Sequence, residues 1–386
     1  MFSFELEETK SPVALIKVVG VGGCGGNAIN NMMKQKVSGV EFIAMNTDIQ
    51  ALRQNQALIK VQLGESLTKG LGAGANHEVG RQAALADRDR ITEQLRGADM
   101  LFIAAGMGGG TGTGAAPIVA DIARELGILT VAVVVKPFSF EGRRTKVAQE
   151  GIETLKELVD SVIIIPNDNL LKVLGPDVTY VAATQAADDV LLGAVAGIAE
   201  VINCPGHINL DFADVRTVMS EMGIAMMGSA VADGVDRAHQ AANKAINSPL
   251  LEDINLQGAR GILVNITATA AIKLTEIDEI METIRSFASP EATTIFGTVI
   301  DETMGEQIRV TIVATGLGGA KVSTLSQPLK VVRTGTDNQD IGGGMSDSHD
   351  SPNVMRRGSR QSTLEGMQKS GVSQIDIPTF LRLQAD

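Results

Sequence analysis

The sequence predicts a doubly wound α/β fold with a long central helix, a second and smaller α/β domain, and a C-terminal linker ending in a short tail. Three observations predict it. Five short apolar runs (ALIKVVG, VEFIAMN, DMLFIAAG, ILTVAVVV and SVIIIPN) are each bounded by Gly, Pro or Asn, as strands buried on both faces of a parallel sheet are. Between them lie stretches long enough for crossover helices, such as Asn27 to Lys36 and Ala115 to Leu126. Glycine-rich loops follow the first and third runs, at the strand ends where an open α/β sheet takes its ligands.

The elements follow in chain order. Residues 1–12 are acidic, lack a basic-then-apolar leader pattern and read as a flexible N-terminus. Residues 13–177 hold the five strands and form the first domain. Residues 178–203 are one helical pattern, stopped by Cys204-Pro205-Gly206. Residues 204–316 carry helical stretches, then strands at GILVNIT, TTIFGTVI and IRVTIVAT with a helix around Glu276 to Phe287, a second α/β domain. Residues 317–373 shift to Gly, Ser, Thr, Asp and Gln, a disordered linker reaching roughly 40 Å end to end. Residues 374–386 turn apolar again.

Composition excludes several function classes. At 44% hydrophobic and 20% charged residues the chain is too apolar to be disordered as a whole. A net charge of −12 repels phosphate backbones, and aromatics at 3%, with no Trp and one Tyr, suit no base-stacking strand binder, so no nucleic-acid partner is expected. Cys24 and Cys204 are too few for a disulfide framework and lack metal-ligand spacing; both are expected as small apolar packing groups in a reducing cytosol. Apolar runs such as Ile128 to Val135 are about half the ~20 residues that span a bilayer. The expectation is a soluble, cytoplasmic protein without direct membrane insertion.

The glycine loops carry the chemistry. Gly20 to Asn27 (GVGGCGGN) satisfies G-x-G-x-x-G between a strand and a helix, whose glycines let backbone N–H groups approach a phosphate at the helix N-terminus. Alone it is equally a tight strand-to-helix turn, and with Asp48 roughly 20 residues on it also fits a dinucleotide site. A second loop, Gly106 to Gly114, again links a buried strand to a helix. So many glycines cost backbone entropy and are read here as a run of N–H donors around phosphate oxygens rather than as packing. No Gly-Lys-Ser/Thr follows, so Mg²⁺ and helix dipoles are left to neutralise the charge. Two phosphate loops at neighbouring strand ends suit a triphosphate, and a third glycine-rich stretch, Gly70 to Asn76, is placed to close over its γ-phosphate.

GGGTGTG is the tubulin-type signature. With GVGGCGGN, MNTD, KGLGAGAN, KPFSFEG, IPND and NLDFADV, the chain resembles the FtsZ family of tubulin-like cell-division GTPases from about Ile16 to Thr315, and again at DIPTFLRLQAD. The resemblance implies a GTP/GDP site with Mg²⁺, held mainly through the phosphates and water. Its phosphate contacts carry over to Gly22, Gly23, Cys24, Gly25 and Gly26, and to Gly106, Gly108, Gly109, Gly110, Thr111, Gly112 and Thr113. Asn46, Ala73, Gly74, Ala75 and Pro137 join the nucleotide contacts, with Glu141 at the ribose and phosphates. Guanine contacts carry over to Asn27, Asn167 and Asp189, whose carboxylate accepts from the N1–H and 2-amino groups that adenine lacks. Three positions depart from the family pattern: Thr184 replaces a base-stacking aromatic, Asp188 an Asn, and Thr145 an Arg for which Arg143, Arg144 and Lys146 are the candidate substitutes, Arg144 being counted with the nucleotide contacts.

Asn209, Asp211 and Asp214 lie just past the long helix. Either Asp fits as the N-cap of the helix that begins near Val215. The helix climbs roughly 20 Å from Asp189 to Asn203, which puts these groups out of reach of the nucleotide of their own subunit. A head-to-tail neighbour would bring them there, and such a non-closing contact makes a filament. The resemblance implies the same: the loop completes the adjoining subunit's GTPase site, with Asp211 and Asp214 polarising water and Asn209 positioning. In the tail, Ile377, Phe380 and Leu381 at i, i+3 and i+4 form a short apolar stripe, and together with Asp376 and Pro378 they are expected to dock a partner. The resemblance assigns it to membrane-tethering adaptors and division regulators at the mid-cell ring. Two rivals stand beside this: an NAD-dependent Rossmann oxidoreductase, and a nucleotide-stabilised scaffold with little hydrolysis.

Overall fold

Among the described residues, ten strands join in one sheet in the order β3-β2-β1-β4-β5-β6-β7-β10-β8-β9. The computed structural model describes residues 14–175, 177–203, 211–221, 223–248 and 258–317. The strands are β1 (Ile16–Val21), β2 (Val40–Asn46), β3 (Ile59–Gln62), β4 (Met100–Gly106), β5 (Leu129–Lys136), β6 (Ser161–Pro166), β7 (Gly223–Ala232), β8 (Gly261–Ala268), β9 (Thr293–Ile300) and β10 (Ile308–Leu317). The helices are α1 (Gly22–Lys34), α2 (Ile49–Gln54), α3 (Glu65–Thr68), α4 (His77–Ala86), α5 (Arg88–Leu95), α6 (Thr111–Glu125), α7 (Arg143–Lys156), α8 (Asn167–Leu174), α9 (Tyr180–Asn203), α10 (Phe212–Met219), α11 (Arg237–Ile246) and α12 (Leu274–Phe287).

The apolar runs form strands because both of their faces are covered. In β1, Ile16 and Val18 enter one core while Val19 and Val21 enter the other; in β4, Met100, Phe102 and Ala104 alternate with Leu101, Ile103 and Ala105 in the same way. One core is capped by α1, α9 and α10, the other by α4 to α7. A third core, beneath α11 and α12, is built on β7, β8 and β10. Helix α9 is long and apolar enough to cross a membrane by composition. One apolar face of it instead packs in the core, where Ala187, Leu191, Ala194, Val195 and Ile198 are buried.

Two strands had no counterpart in the sequence reading. β3 is four residues at the sheet edge, too short to show a period. β7, GIAMMGSAVA, is poor in β-branched residues and sits where helical stretches were expected. It matters, because β7 pairs in parallel with β6 (Ser161↔Gly223 to Ile163↔Ala225) and antiparallel with β10. The sheet therefore runs on from the first five strands into the later ones.

Candidate functional site

The first six strands run 3-2-1-4-5-6, so the order reverses between β1 and β4, where the ends of neighbouring strands diverge into a crevice. Val21 pairs with Ala105, so the two glycine loops leave the sheet side by side. Helices α1, α6 and α8 all start at this edge, and none has a side-chain cap: their N-cap residues are Val21, Gly110 and Pro166. Neither α1 nor α6 carries an acidic residue in its first turn. Two helix dipoles thus present bare N–H groups and partial positive charge to one spot. Elsewhere Asp48, Asn76 and Asp211 cap α2, α4 and α10.

Most of the loop glycines nevertheless answer to packing, which corrects the sequence reading. A Cβ at Gly25 would collide with the Ala104 carbonyl oxygen, one at Gly112 with that of Gly106, and one at Gly114 with that of His77. At Gly106 it would meet the Cys24 Cβ at 2.6 Å, and at Gly110 the Ala73 Cβ at 2.8 Å. The loops must lie against one another and against backbone, and only glycine is thin enough. Gly23 and Gly109 differ: a Cβ at either meets nothing within 4 Å. Gly23→Ala and Gly109→Ala should therefore melt like the parent, yet bind GDP about tenfold or more weakly, because a methyl displaces phosphate contacts worth about 1.5–3 kcal/mol each. Gly112→Ala should lose about 1–3 kcal/mol of stability to overpacking. Thermal melts without nucleotide, paired with GDP titrations, check the contrast.

Thr113 is likewise a brace. It is buried, and its Oγ1 accepts the Gly108 N–H at 2.8 Å, so it shapes the loop from behind. The Thr111 hydroxyl is tied to that of Thr47 at 2.7 Å. Ala73 packs under Gly110, while Gly74 and Ala75 are exposed with φ near +58°.

Beside the loops lies a cavity of about 350 Å³. Gly23, Cys24, Asn27 and Gly106 line it from the loops, Pro137, Glu141 and Arg144 from beyond β5, and Asn167 from the start of α8. Asn167 is 8% exposed and its Oδ1 has no hydrogen-bond partner, an orphaned acceptor that a bound group would satisfy. Glu141 accepts from the Phe138 N–H (3.0 Å) and from Arg144, whose Nε reaches the Gly108 carbonyl at 3.4 Å. Arg144, rather than Arg143 or Lys146, is the cation at the cavity. Asn46 is buried; its Oδ1 accepts the Asp48 N–H, and it lines a smaller neighbouring cavity of about 120 Å³ with Asn27. Cys24 is half-buried in the wall, and desolvation, aided by the charge of Asp188, pushes its thiol up to about 12, so it stays a protonated, unreactive group. Cys204 lies outside the described residues.

Asp189, expected at the guanine, is placed elsewhere by the structure. Asp189 is absent from this cavity: its Oδ1 accepts from Asn31 Nδ2 (2.8 Å) and Gln185 Nε2 (3.3 Å), and it lines a separate cavity of about 680 Å³ with Gly193 and Glu200. Asp188 lines the nucleotide-side cavity, with Thr184, Ala187 and Tyr180. At about 100° per residue, Asp188 lies roughly 40° from Thr184 around the helix while Asp189 lies roughly 140° away. Asp189 thus sits on a different helix face from the cavity residues Thr184 and Asp188. Desolvation, then the charge of Asp189, raises the Asp188 carboxyl to about 6.

Asp48, the acid that a dinucleotide site would aim at a ribose, instead caps α2 by accepting from the Gln50 and Ala51 N–H groups. Asp211 and Asp214 lie toward the opposite ends of the strands, on the helix that packs at the starts of β5 and β6. Asp211 caps α10, accepting the Asp214 N–H at 2.8 Å, and Asp214 is exposed in the first turn. Further along α10, Arg216 bonds the Gly127 carbonyl just before β5, and the Met219 carbonyl accepts from Ser161 at the start of β6. The cavity residues Pro137 and Asn167 follow the far ends of those same strands, about 26 Å away along β5. Asn209 and the tail positions Asp376, Ile377, Pro378, Phe380 and Leu381 lie outside the described residues.

Comparison with known proteins agrees with this geometry. The model of the Tubulin/FtsZ family GTPase domain matches residues 15–175, and that of the FtsZ family C-terminal domain matches residues 223–318. The cell division protein FtsZ of Pseudomonas aeruginosa is 54% identical over 397 residues, spanning 99% of this chain and 100% of that protein. The chain belongs to the FtsZ family. The FtsZ of Coxiella burnetii is also 54% identical, over 98% of each chain. An empty FtsZ dimer from M. jannaschii matches with a TM-score of 0.76 at 43% identity, covering 78% of this chain and 88% of that one. CetZ2 of Haloferax volcanii, solved as a GTPγS-bound protofilament, shares the fold at a TM-score of 0.67 and 19% identity, covering 80% and 94%. This FtsZ-family chain is a tubulin-like, cytoskeletal GTPase of cell division, and neither the oxidoreductase nor the non-hydrolysing scaffold has support.

Proposed function

We propose that this chain assembles head to tail into a homopolymer whose GTPase sites are each built from two subunits. One contributes the cavity and glycine loops; the next contributes Asn209, Asp211 and Asp214. The observation that carries this reading is the separation of the two halves: Asp211 and Asp214 stand toward the strand ends opposite the cavity, while a translated copy stacked end on end would bring them to the phosphates. Such a heterologous contact does not close on itself, so it propagates as a filament.

The residues divide the work. Bare N–H groups of α1 and α6 take the phosphate oxygens, Glu141 and Arg144 flank the ribose and phosphates, and Asn27, Asn167 and Asp188 read the base. From the neighbour, Asp214 accepts a proton from the attacking water. Asp211 commits one oxygen to its cap and fixes the turn that aims Asp214. Among the described residues no three His, Cys, Asp or Glu side chains gather as a metal site. Mg²⁺ would be held mainly by the phosphates and water, where it would supply charge neutralisation. The polymer acts at the mid-cell division ring in the cytoplasm, with the tail at 374–386 docking membrane-tethering adaptors and division regulators.

A mixing experiment tests the shared site. Asp214→Ala chains loaded with γ-labelled GTP should release label, within the first turnover, only after addition of wild-type chains loaded with a non-hydrolysable GTP analogue. The wild-type loop then acts on the variant's nucleotide. If the label stays bound under co-assembling conditions, the loop does not act across subunits.

A further inference from the structure

The α9 wall of the nucleotide cavity carries Tyr180, Thr184, Ala187 and Asp188, positions i, i+4, i+7 and i+8 along one helix face. Thr184 offers this wall no free hydrogen-bond donor, because its hydroxyl donates to the helix's own carbonyls, Val181 at 2.9 Å and Tyr180 at 3.2 Å. Ala187 is small. The one broad flat group on the wall is the ring of Tyr180, which stands 64% exposed at the cavity rim. Its position is supported from behind: it leans on buried Phe138 with ring centroids 6.3 Å apart and planes at 48°, and Phe138 is itself stacked on Phe140 at 5.0 Å. A ring held by an aromatic pair on one side and left open beside a cavity is a platform for a planar partner.

We propose that Tyr180 is that platform: the nucleotide base, its edge directed toward Asp188, stacks on the Tyr180 ring, making Tyr180 an affinity-setting residue of the site. The inference rests on the guanine-nucleotide reading of this cavity. Tyr180 has no part in the hydrolysis itself, so its effect should fall on binding rather than on turnover at saturation.

The chain holds one Tyr and no Trp, so tyrosine emission from the full-length protein reports this residue alone. GDP is expected to quench that emission, and inorganic pyrophosphate, which has no base, to leave it unchanged. By calorimetry Tyr180→Ala should bind GDP roughly 5- to 150-fold more weakly, the loss of one base–aromatic stack. Tyr180→Phe, which keeps the ring, should stay within about twofold of the parent if stacking is the interaction. GDP binding with unaltered emission would overturn the proposal. So would a Tyr180→Ala variant of parental GDP affinity, whatever its assembly, or an equal loss in Tyr180→Phe, which would assign the effect to the hydroxyl. Wild-type protein that binds no GDP at all would instead overturn the guanine-nucleotide reading on which the proposal stands.

Discussion

Asp214→Ala is expected to bind GDP as tightly as the parent and to release phosphate about 10²- to 10⁴-fold more slowly, the range over which a positioned general base acts. The binding half follows from distance, because α10, which carries Asp214, bonds the starts of β5 and β6, while the cavity lies past their far ends, about 26 Å along β5. The fold should not suffer either. Asp214 is exposed, and the α10 cap uses its backbone N–H and the side chain of Asp211, which Ala at 214 leaves in place. Stability should move by no more than about 0.5 kcal/mol. Asp211→Ala is the less clean variant, since it also removes a cap worth about 0.5–2 kcal/mol. Phosphate release at saturating GTP, set beside GDP calorimetry, separates the two effects. Equal loss of binding and turnover would mean that Asp214 supports its own subunit's pocket.

The second large effect concerns the neighbouring carboxylates on α9. Asp188→Ala should weaken GDP binding by about 10- to 150-fold, a charged hydrogen bond being worth about 1.5–3 kcal/mol, while Asp189→Ala should leave GDP affinity within about twofold. The pH dependence has a definite sign. Guanine donates N1–H and 2-amino groups, so it needs the ionised carboxylate, and in the free protein that carboxyl titrates near 6. GDP affinity should therefore fall, by up to about tenfold per unit, as pH drops below about 6. Stability of the free fold should move the other way. A carboxyl raised above its unfolded value contributes stability fully present below that unfolded value and lost as pH rises through about 6. Asp188→Asn should flatten both trends, as calorimetry and thermal melts across this range would record. Unchanged profiles in Asp188→Asn would remove Asp188 from base recognition.

How far the sequence reaches depends on how local the signal is. Strands such as β4 and β5 were legible because burial on both faces leaves an uninterrupted apolar run, and α9 because its pattern runs unbroken to a Pro-Gly stop. β7 was not legible: its Gly, Ala, Ser and Met residues gain strand structure only from the neighbours β6 and β10. The glycine loops lie at the strand ends where they were expected, but packing as a reason for their glycines was missed. Their thinness serves the contact of one backbone with another, as at Gly25 against Ala104, which no single stretch of sequence displays. Asp188 and Asp189 differ by one residue and by about 100° around the helix, and only the structure shows that Asp188 lines the cavity while Asp189 faces Asn31. Tyr180 was visible only as the chain's lone tyrosine until the helix face aligned it with Thr184 and Asp188.

The division of one catalytic site between two copies of the chain is tested most directly by GTP turnover per molecule as a function of protein concentration. Turnover should be near zero at high dilution, rise above a threshold concentration, and reach a plateau once the protein is assembled. A rate per molecule that stays constant down to dilutions at which sedimentation or light scattering finds only single chains would contradict the account.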